Sequence, residues 1–185
     1  MGLILGSKSP RRKEILEMAG YQFKVIVSDV DENVKANSIT DMSLQIAKKK
    51  CDAIFKNYRE DTIICADTIV VIDGIVLGKP KDKNDARCMI EKIQNHVHEV
   101  YTSVIVKNKN LEVEFLEKTK VYVRKMNDKQ IEEYINMKEP YDKAGAYAIQ
   151  GYFAKYIEKI EGDYYNVMGL PICKLSQILD EIALQ

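Results

Sequence analysis

Segments with the spacing of strands alternate along this chain with segments that have the spacing of helices, and tight turns join some of the strands. Such alternation is typical of α/β proteins, in which helices pack against a sheet. Strands that are joined by tight turns are antiparallel, because a parallel connection needs a much longer crossover. The sequence therefore predicts an α/β fold class with a mixed twisted sheet and flanking helices.

Apolar or alternating runs mark the predicted strands, and the Asp73-Gly74 pair between two of them is a strong signal for a two-residue hairpin. We expect residues 28–40, which are mainly polar, and residues 138–153 to form loops. The strands are predicted at residues 3–5, 21–27, 62–66, 69–72, 75–77, 97–106, 111–123 and 154–160.

Capping residues mark the start of several predicted helices. Ser9 suits the N-cap position and Pro10 the first helical position, while Asp82 and Asn127 suit the N-cap of later helices. The helices are predicted from Pro10 to a stop at Gly20, at residues 42–58, after Asp82, after Asn127 and at residues 171–183.

Composition limits the classes of protein to which the chain can belong. Lys and Arg total 28 residues and Asp and Glu total 28, so the formal net charge is zero. Zero net charge gives no bulk attraction to nucleic acid or membranes, and we expect neither as a partner. No apolar run approaches the roughly 18 residues of a membrane span. The four cysteines lack Cys-x-x-Cys spacing and the N-terminus does not resemble a signal peptide, so we expect a soluble cytoplasmic protein.

The segment from Gly6 to Lys13 contains the first candidate site. A strand leads through a polar turn into the start of a helix, where free N–H groups and the helix dipole favour an anion. Ser7, Arg11 and Arg12 lie here, and arginines in a first helical turn oppose the dipole unless an anion is bound. The segment predicts a phosphate site, although an ordinary capped helix with a basic face gives the same pattern.

Acidic residues supply the second candidate site. Asp67 follows the predicted strand at residues 62–66, and the carboxyl ends of strands are where α/β folds build their sites. A carboxylate there can hold a divalent cation or accept a proton from water, or it can bond to the turn that follows. Asp31 and Glu32 add oxygen ligands in the polar loop.

Two further segments carry candidate binding groups. Lys79 stands between Gly78 and Pro80, where a fixed backbone suits a phosphate contact, although an exposed lysine in a turn is the alternative. Gln150 lies in the segment 139–151, and its amide can read a base edge or bond to nearby backbone. The residues by themselves predict a phosphate-handling enzyme.

Together, these segments resemble the Maf family of nucleotide pyrophosphatases over nearly the whole chain. The resemblance implies one domain, residues 1–185, with two lobes around a cleft and a fold similar to inosine triphosphate pyrophosphatases. The matching segments are, in order, Ser7 to Arg12, Asp31-Glu32, Lys50, Ala66-Asp67-Thr68, Gly78-Lys79-Pro80, His98 with Thr102, Asp142 to Gly145, Ile149-Gln150-Gly151 and Asn166 to Pro171.

The resemblance also implies an activity, which is hydrolysis of a nucleoside triphosphate to the monophosphate and pyrophosphate with a divalent cation, Mg²⁺ or Mn²⁺. It places the proton acceptor on Asp67 and the substrate-selecting positions on Arg11, Thr68 and Gln150. That combination is similar to the dTTP/UTP branch of the family, and it implies a house-cleaning role on these and modified pyrimidine nucleotides. A 7-methyl-GTP pyrophosphatase and a nucleotide-binding regulator of septum formation or cell division are the alternatives.

These implications give each candidate residue a role. We expect Glu32 and Asp67 to hold the metal, and Thr68 and Gln150 to lie near the base. We expect the protein to be a monomer or a homodimer. The expected contacts of the triphosphate are Ser7, Arg11, Arg12 and Lys79, with Lys50 as a weaker candidate.

Overall fold

The structure, a computed structural model, describes residues 2–183. In order along the chain, the strands within these residues are β1 (Leu3–Leu5), β2 (Lys24–Val25), β3 (Thr62–Ile72), β4 (Ile75–Leu77), β5 (Val97–Lys107), β6 (Glu112–Val123) and β7 (Ile157–Glu161).

The strands form one seven-stranded sheet in the order β2-β1-β3-β5-β6-β7, and β4 pairs with β3 off this path. Strand β1 is parallel to both of its neighbours, with Ile4 opposite Lys24 on β2 and Ile63 on β3. The pairs β3–β4 and β6–β7 are antiparallel. The predicted α/β fold with a mixed sheet is therefore confirmed.

Helices flank the sheet, and none within the described residues is long and apolar enough to cross a membrane. The α-helices are α1 (Pro10–Met18), α2 (Ile39–Phe55), α3 (Lys83–Ile93), α4 (Asp128–Ile135), α5 (Tyr164–Met168) and α6 (Ile172–Ala183). Short 3₁₀-helices occupy much of the predicted loop at residues 138–153 and lie at Glu139–Asp142, Ala144–Ala146 and Tyr152–Tyr156.

Side-chain caps start two of the helices where the sequence predicts them. The carboxylate of Asp82 accepts a hydrogen bond from the N–H of Asp85 at 2.9 Å, at the start of α3. The side chain of Asn127 accepts from the N–H of Gln130, whose own side chain accepts from the N–H of Asn127. This reciprocal capping box satisfies two helix-start donors at α4.

The strand that carries Asp67 is longer than the sequence predicts. Strand β3 is continuous from Thr62 to Ile72, so Asp67 lies inside it, and the prediction that Asp67 follows the end of its strand is wrong. The reason is that β3 is hydrogen-bonded to three strands, β1, β4 and β5. Residues 62–64 pair with β1 and residues 70–72 pair with β4, so the ladder supports the strand on both sides of the acid.

Other boundaries also differ from the predictions. Strand β2 has two residues instead of the predicted 21–27, and β7 begins at Ile157 because the 3₁₀-helix precedes it. Helix α2 begins at Ile39, because the hydroxyl of Ser38 accepts from the N–H of Asp41 and caps the helix there. Helix α5 was not predicted, since five residues are too few for an apolar period to be read.

The chain divides into two compact units, and the expected arrangement as one domain of two lobes stays a prediction. Unit 1 comprises residues 1–67, 102–117 and 169–185, and unit 2 comprises residues 68–101 and 118–168. In unit 1, helix α2 packs on β1 and β3 through a buried apolar cluster. The members of this cluster are Ile4, Ala47, Cys51, Ile54, Ile63, Cys65 and Ile105.

Aromatic side chains form much of the core of unit 2. The ring of Phe153 is fully buried, and its centroid lies 5.0 Å from those of Tyr134 and Tyr147 and 5.4 Å from that of Tyr156. Tyr134 comes from α4, whereas the other three rings come from the segment that contains the later 3₁₀-helices. The core therefore fixes that segment against a helix.

Gly145 holds another part of the same segment in place. Its φ of +70° is a left-handed conformation that favours glycine, and a Cβ built there would lie 2.9 Å from Cγ1 of Val70. Its N–H donates to the carbonyl of Gly78 at 3.0 Å, next to Lys79. The position therefore needs glycine for two reasons, backbone conformation and space.

We expect Gly145→Ala to lower the free energy of unfolding by about 2–3 kcal/mol, because strain at positive φ adds to the clash with Val70. Urea denaturation followed by circular dichroism measures the change. Gly20→Ala is the matched control, since Gly20 also has a positive φ, +82°, but nothing within 4 Å of a Cβ. Equal losses in the two variants would contradict the steric contribution at Gly145.

Candidate active site

The start of α1 in unit 1 is fixed by a hydrogen-bonded arginine. The hydroxyl of Ser7 is buried, and it accepts from the N–H of Ser9 at 3.2 Å and from Nη1 of Arg12 at 3.0 Å. Nε of Arg12 donates to the carbonyl of Gly169 at 2.8 Å. Ser9 makes no side-chain cap, so the polar turn before the helix is held by Ser7 and Arg12.

Positive charge is concentrated at this helix start. Burial lowers the pKa of the Arg12 guanidinium, the charge of Asp67 acts in the opposite direction, and the neighbouring charge of Arg11 adds to the lowering. An arginine nevertheless stays protonated in proteins. Two adjacent cations at a helix N-terminus therefore raise the local potential and favour an anion.

Lys50 on α2 lies between two carboxylates of the same unit. Its ammonium group is 2.9 Å from Oε1 of Glu32 and 3.3 Å from Oδ1 of Asp67. The side chains of Lys50 and Asp67 are each 17% exposed, whereas that of Glu32 is 60% exposed. The pair with Asp67 is therefore largely shielded from water, which strengthens the attraction between the charges.

The charges around Asp67 have opposing effects on its ionisation. Burial raises the pKa of Asp67 above its ordinary value, Lys50 and Arg12 lower it, and the negative charge of Glu32 raises it again. The net direction is upward. A carboxylate with a raised pKa accepts protons more readily than an ordinary aspartate, as a general base requires.

The two carboxylates fit a hard divalent cation as partial ligands. Both already converge on a single positive charge, the ammonium group of Lys50. Mg²⁺ is commonly held by one or two carboxylates, and waters and substrate phosphates complete its coordination. Glu32 and Asp67 match this donor set. No cluster of three or more His, Cys, Asp or Glu side chains that could hold a metal occurs among residues 2–183.

Two groups that the sequence analysis did not single out support these residues. Nζ of Lys49 donates to the carbonyls of Asp31, at 2.6 Å, and Asn33, at 3.4 Å, and so fixes the loop that carries Glu32. The carbonyl of Gly169 orients Arg12. The sequence shows the run of lysines before Cys51 and the segment that contains Gly169. Neither pattern indicates which groups Lys49 and Gly169 contact.

The remaining candidate residues belong to unit 2. Thr68 follows Asp67 within β3 and is half-buried. Lys79 is exposed, and Pro80 after it is buried. The carbonyl of Gly78 accepts from Gly145, so the backbone beside Lys79 is held in place. The expected roles of Thr68 and Lys79 stay predictions.

Gln150 lies in a tight turn of unit 2. The N–H of Gly151 donates to the carbonyl of Ala148 at 3.2 Å, which closes the turn around Gln150. Ile149 is buried, whereas the side chain of Gln150 is exposed and so accessible to a ligand.

The structure brings one group of candidate residues together within unit 1. Contacts or electrostatic interactions connect Ser7, Arg11, Arg12, Glu32, Lys50 and Asp67. The basic helix start and the acid on β3 therefore lie in one charged cluster. Such a cluster can bind an anion beside a carboxylate that accepts protons or holds a cation.

Comparisons with known proteins identify the family. The model of the family described as "Maf-like protein" matches residues 2–182. A dTTP/UTP pyrophosphatase of Thermoanaerobacter sp. is 47% identical over 182 residues, which are 97% of this chain and 95% of the relative. The dTTP/UTP pyrophosphatase of Caldicellulosiruptor bescii is 42% identical over 97% of this chain and 94% of the relative. That of Pyrococcus abyssi is 46% identical over 92% of this chain and 90% of the relative.

Among solved structures, that of the Staphylococcus aureus Ham1 protein matches with a TM-score of 0.49 and 13% identity, over 65% of this chain and 71% of the other. A likeness at that level supports no conclusion about function. The family match is of a different kind, since it covers the described chain almost from end to end and is joined by relatives of similar length. This chain belongs to the Maf family of proteins.

Proposed function

We propose that the protein is a nucleoside triphosphate pyrophosphatase that hydrolyses dTTP and UTP to the nucleoside monophosphate and pyrophosphate. One observation carries the proposal: the basic helix start and the largely buried acid belong to one charged cluster in unit 1. The curated relatives at 42–47% identity, which are named dTTP/UTP pyrophosphatases, support the substrate class. Modified pyrimidine nucleotides and a cytoplasmic location are part of the same proposal.

The triphosphate is the group that this cluster suits best. A triphosphate carries several negative charges, which repel an attacking water unless cations and donors offset them. We assign Ser7, Arg11 and Arg12 to the phosphates, since fixed donors placed where charge develops lower the barrier. Lys79 of unit 2 is a further proposed phosphate contact.

Asp67 is the proposed proton acceptor. Its raised pKa makes it a better base than an exposed aspartate, while Lys50 and Arg12 favour its ionised form. Burial thus makes the carboxylate more basic while the two cations oppose its protonation, which suits a group that orients or deprotonates water.

A divalent cation, Mg²⁺ or Mn²⁺, is the proposed cofactor, and Glu32 and Asp67 are its proposed ligands. When bound, such an ion polarises phosphate oxygens and neutralises developing negative charge. Lys50, expected as a phosphate contact, is better placed to balance the two carboxylates, since it lies within 3.3 Å of both. We therefore propose that its main role is to hold and neutralise this acidic pair.

A panel of dTTP, UTP, CTP, GTP and 7-methyl-GTP tests the proposed function. We expect pyrophosphate release to be fastest with dTTP and UTP and to stop when EDTA removes the divalent cation. Release that is fastest with 7-methyl-GTP would favour the sister activity. Binding of nucleotides without turnover would favour the regulator of cell division.

We expect Asp67→Asn to lower kcat by about 10²- to 10⁴-fold, the usual contribution of a general base, because the amide keeps the shape and loses the charge. Steady-state pyrophosphate release from UTP measures the effect. Asp52→Asn is the matched control. In the described contacts, Asp52 of α2 forms an ion pair with Lys107 alone, which is not one of the candidate site residues. Turnover of Asp67→Asn within a few-fold of wild type would remove Asp67 from the mechanism.

We expect the acid limb of the pH profile of kcat/KM to move to higher pH in Lys50→Met. Lys50 lowers the pKa of Asp67, so without the ammonium group the carboxyl group stays protonated, and inactive as a base, up to a higher pH. Protonation of the substrate affects the pH profiles of wild type and variant equally, so it does not contribute to the shift between them. Lys48→Met is the control, since Lys48 pairs with Glu112 and Glu114 instead. A limb that stays fixed or moves to lower pH contradicts the assignment.

A further inference from the structure

One carboxylate in unit 2 accepts three hydrogen bonds from the segment around Gln150 and from α4. Oε1 of Glu139 accepts from the hydroxyl of Tyr134 at 3.0 Å and from the N–H of Phe153 at 3.2 Å. Oε2 accepts from the N–H of Tyr152 at 2.8 Å. Glu139 therefore uses both oxygens, and two of its partners are backbone groups at the start of the 3₁₀-helix Tyr152–Tyr156.

Gly151 has no side chain and so leaves room for this carboxylate. A Cβ built on Gly151 would lie 2.1 Å from Oε2 of Glu139, far inside any permitted contact. The φ of Gly151 is −100°, which suits any L-residue, so backbone conformation does not require glycine there. A side chain at 151 would therefore displace the carboxylate of Glu139, which occupies the space beside the backbone of Gly151.

Gln150 precedes this contact directly. Its turn is closed by the hydrogen bond from Gly151 to Ala148, and the next two N–H groups along the chain are both held by Glu139. The backbone on the C-terminal side of Gln150 is therefore fixed by one side chain that lies thirteen residues before Tyr152.

A second anchor holds the N-terminal side of the turn. The hydroxyl of Tyr147 shares a 2.7 Å hydrogen bond with Nε2 of His98 on β5. Burial lowers the pKa of His98 to about 4, so the ring is neutral at physiological pH. With both sides anchored, Gln150 is an exposed side chain on a fixed backbone.

We infer that Glu139 is a positioning residue for substrate selection, which holds the backbone of Gln150 so that its amide meets the base of a pyrimidine nucleoside triphosphate in one orientation. This inference rests on the proposed function, in which Gln150 reads the base. An amide selects between bases by the direction of its donor and acceptor, so an unfixed amide selects poorly. Glu139 acts on selection through Gln150, and not on the chemistry at the phosphates.

Glu139→Gln is the primary variant. A glutamine has a single acceptor oxygen, whereas the N–H groups of Tyr152 and Phe153 donate to different oxygens of Glu139. In the variant, the NH₂ group must therefore face one of these N–H groups, and that hydrogen bond of the turn is lost. Because misplacement by about 1 Å can cost on the order of 100-fold, we expect the ratio of kcat/KM for UTP to that for GTP to fall roughly 10-fold. The change should lie mainly in KM for UTP, with kcat preserved.

Glu133→Gln is the matched control. Glu133 is an exposed carboxylate of α4 that contacts the side-chain hydroxyl of Tyr152 but neither of the two N–H groups. Its replacement changes charge near the same segment without releasing the backbone. We expect the UTP-to-GTP ratio of this variant to match that of wild type.

Gly151→Ala tests the same contact from the other side, and it covers the case in which Glu139→Gln folds poorly. The added methyl group should displace the carboxylate and reproduce the loss of selection. In a Glu139→Ala background, the same change should have little further effect, because the space is then open. Thermal unfolding of each variant separates a general loss of stability from a specific loss of selection.

A double-mutant cycle with Gln150→Ala decides between the outcomes. We expect Gln150→Ala to reduce selection by itself, and Glu139→Gln to add nothing in that background. If Gln150→Ala reduces selection but Glu139→Gln leaves it unchanged, the inference about Glu139 is wrong and the proposed function stands. If the wild-type protein releases no pyrophosphate from UTP or dTTP, the proposed function itself fails.

Discussion

The candidate site depends on one electrostatic constraint, which is that the carboxylate of Asp67 is largely buried and must remain ionised to serve as a base or a ligand. Burial alone works against this, because a charge is destabilised when water is removed from it. Lys50 and Arg12 provide the compensation, and both lie in unit 1 with the acid. Removal of Lys50 therefore changes the ionisation of Asp67 directly, whereas removal of Arg12 also removes a proposed phosphate contact.

The local fold explains why these groups meet. Strand β1 ends where Leu5 pairs with Ile64, and the N–H of Gly6 makes a last bond to the carbonyl of Ile64. The chain then turns into the start of α1, while β3 continues past this point to Asp67. The start of α1 and the interior of β3 are thus brought to the same place. The hydrogen bonds of Arg12 fix the turn between β1 and α1.

Much of the secondary structure could be predicted because its signals are local. Asp82 and Asn127 cap helices through their own side chains, and Asp73-Gly74 joins two strands with positive φ at both residues. The position of Asp67 could not be read in this way. The sequence indicates a strand before the acid and another after it, but only the pairing of β3 with its neighbours β1, β4 and β5 makes them one continuous strand.

By itself, the sequence determined the fold class, the starts of α1, α3 and α4, and the family, because periodicity, caps and ordered motifs are properties of neighbouring residues. Tertiary structure alone decided which charges face one another. It assigned Lys50 to two carboxylates, Lys49 to the loop carbonyls of Asp31 and Asn33, and Glu139 to backbone donors beyond Gln150. Each of these contacts joins residues that are distant in the chain. Their energy depends on distance and burial, which no local pattern of residues encodes.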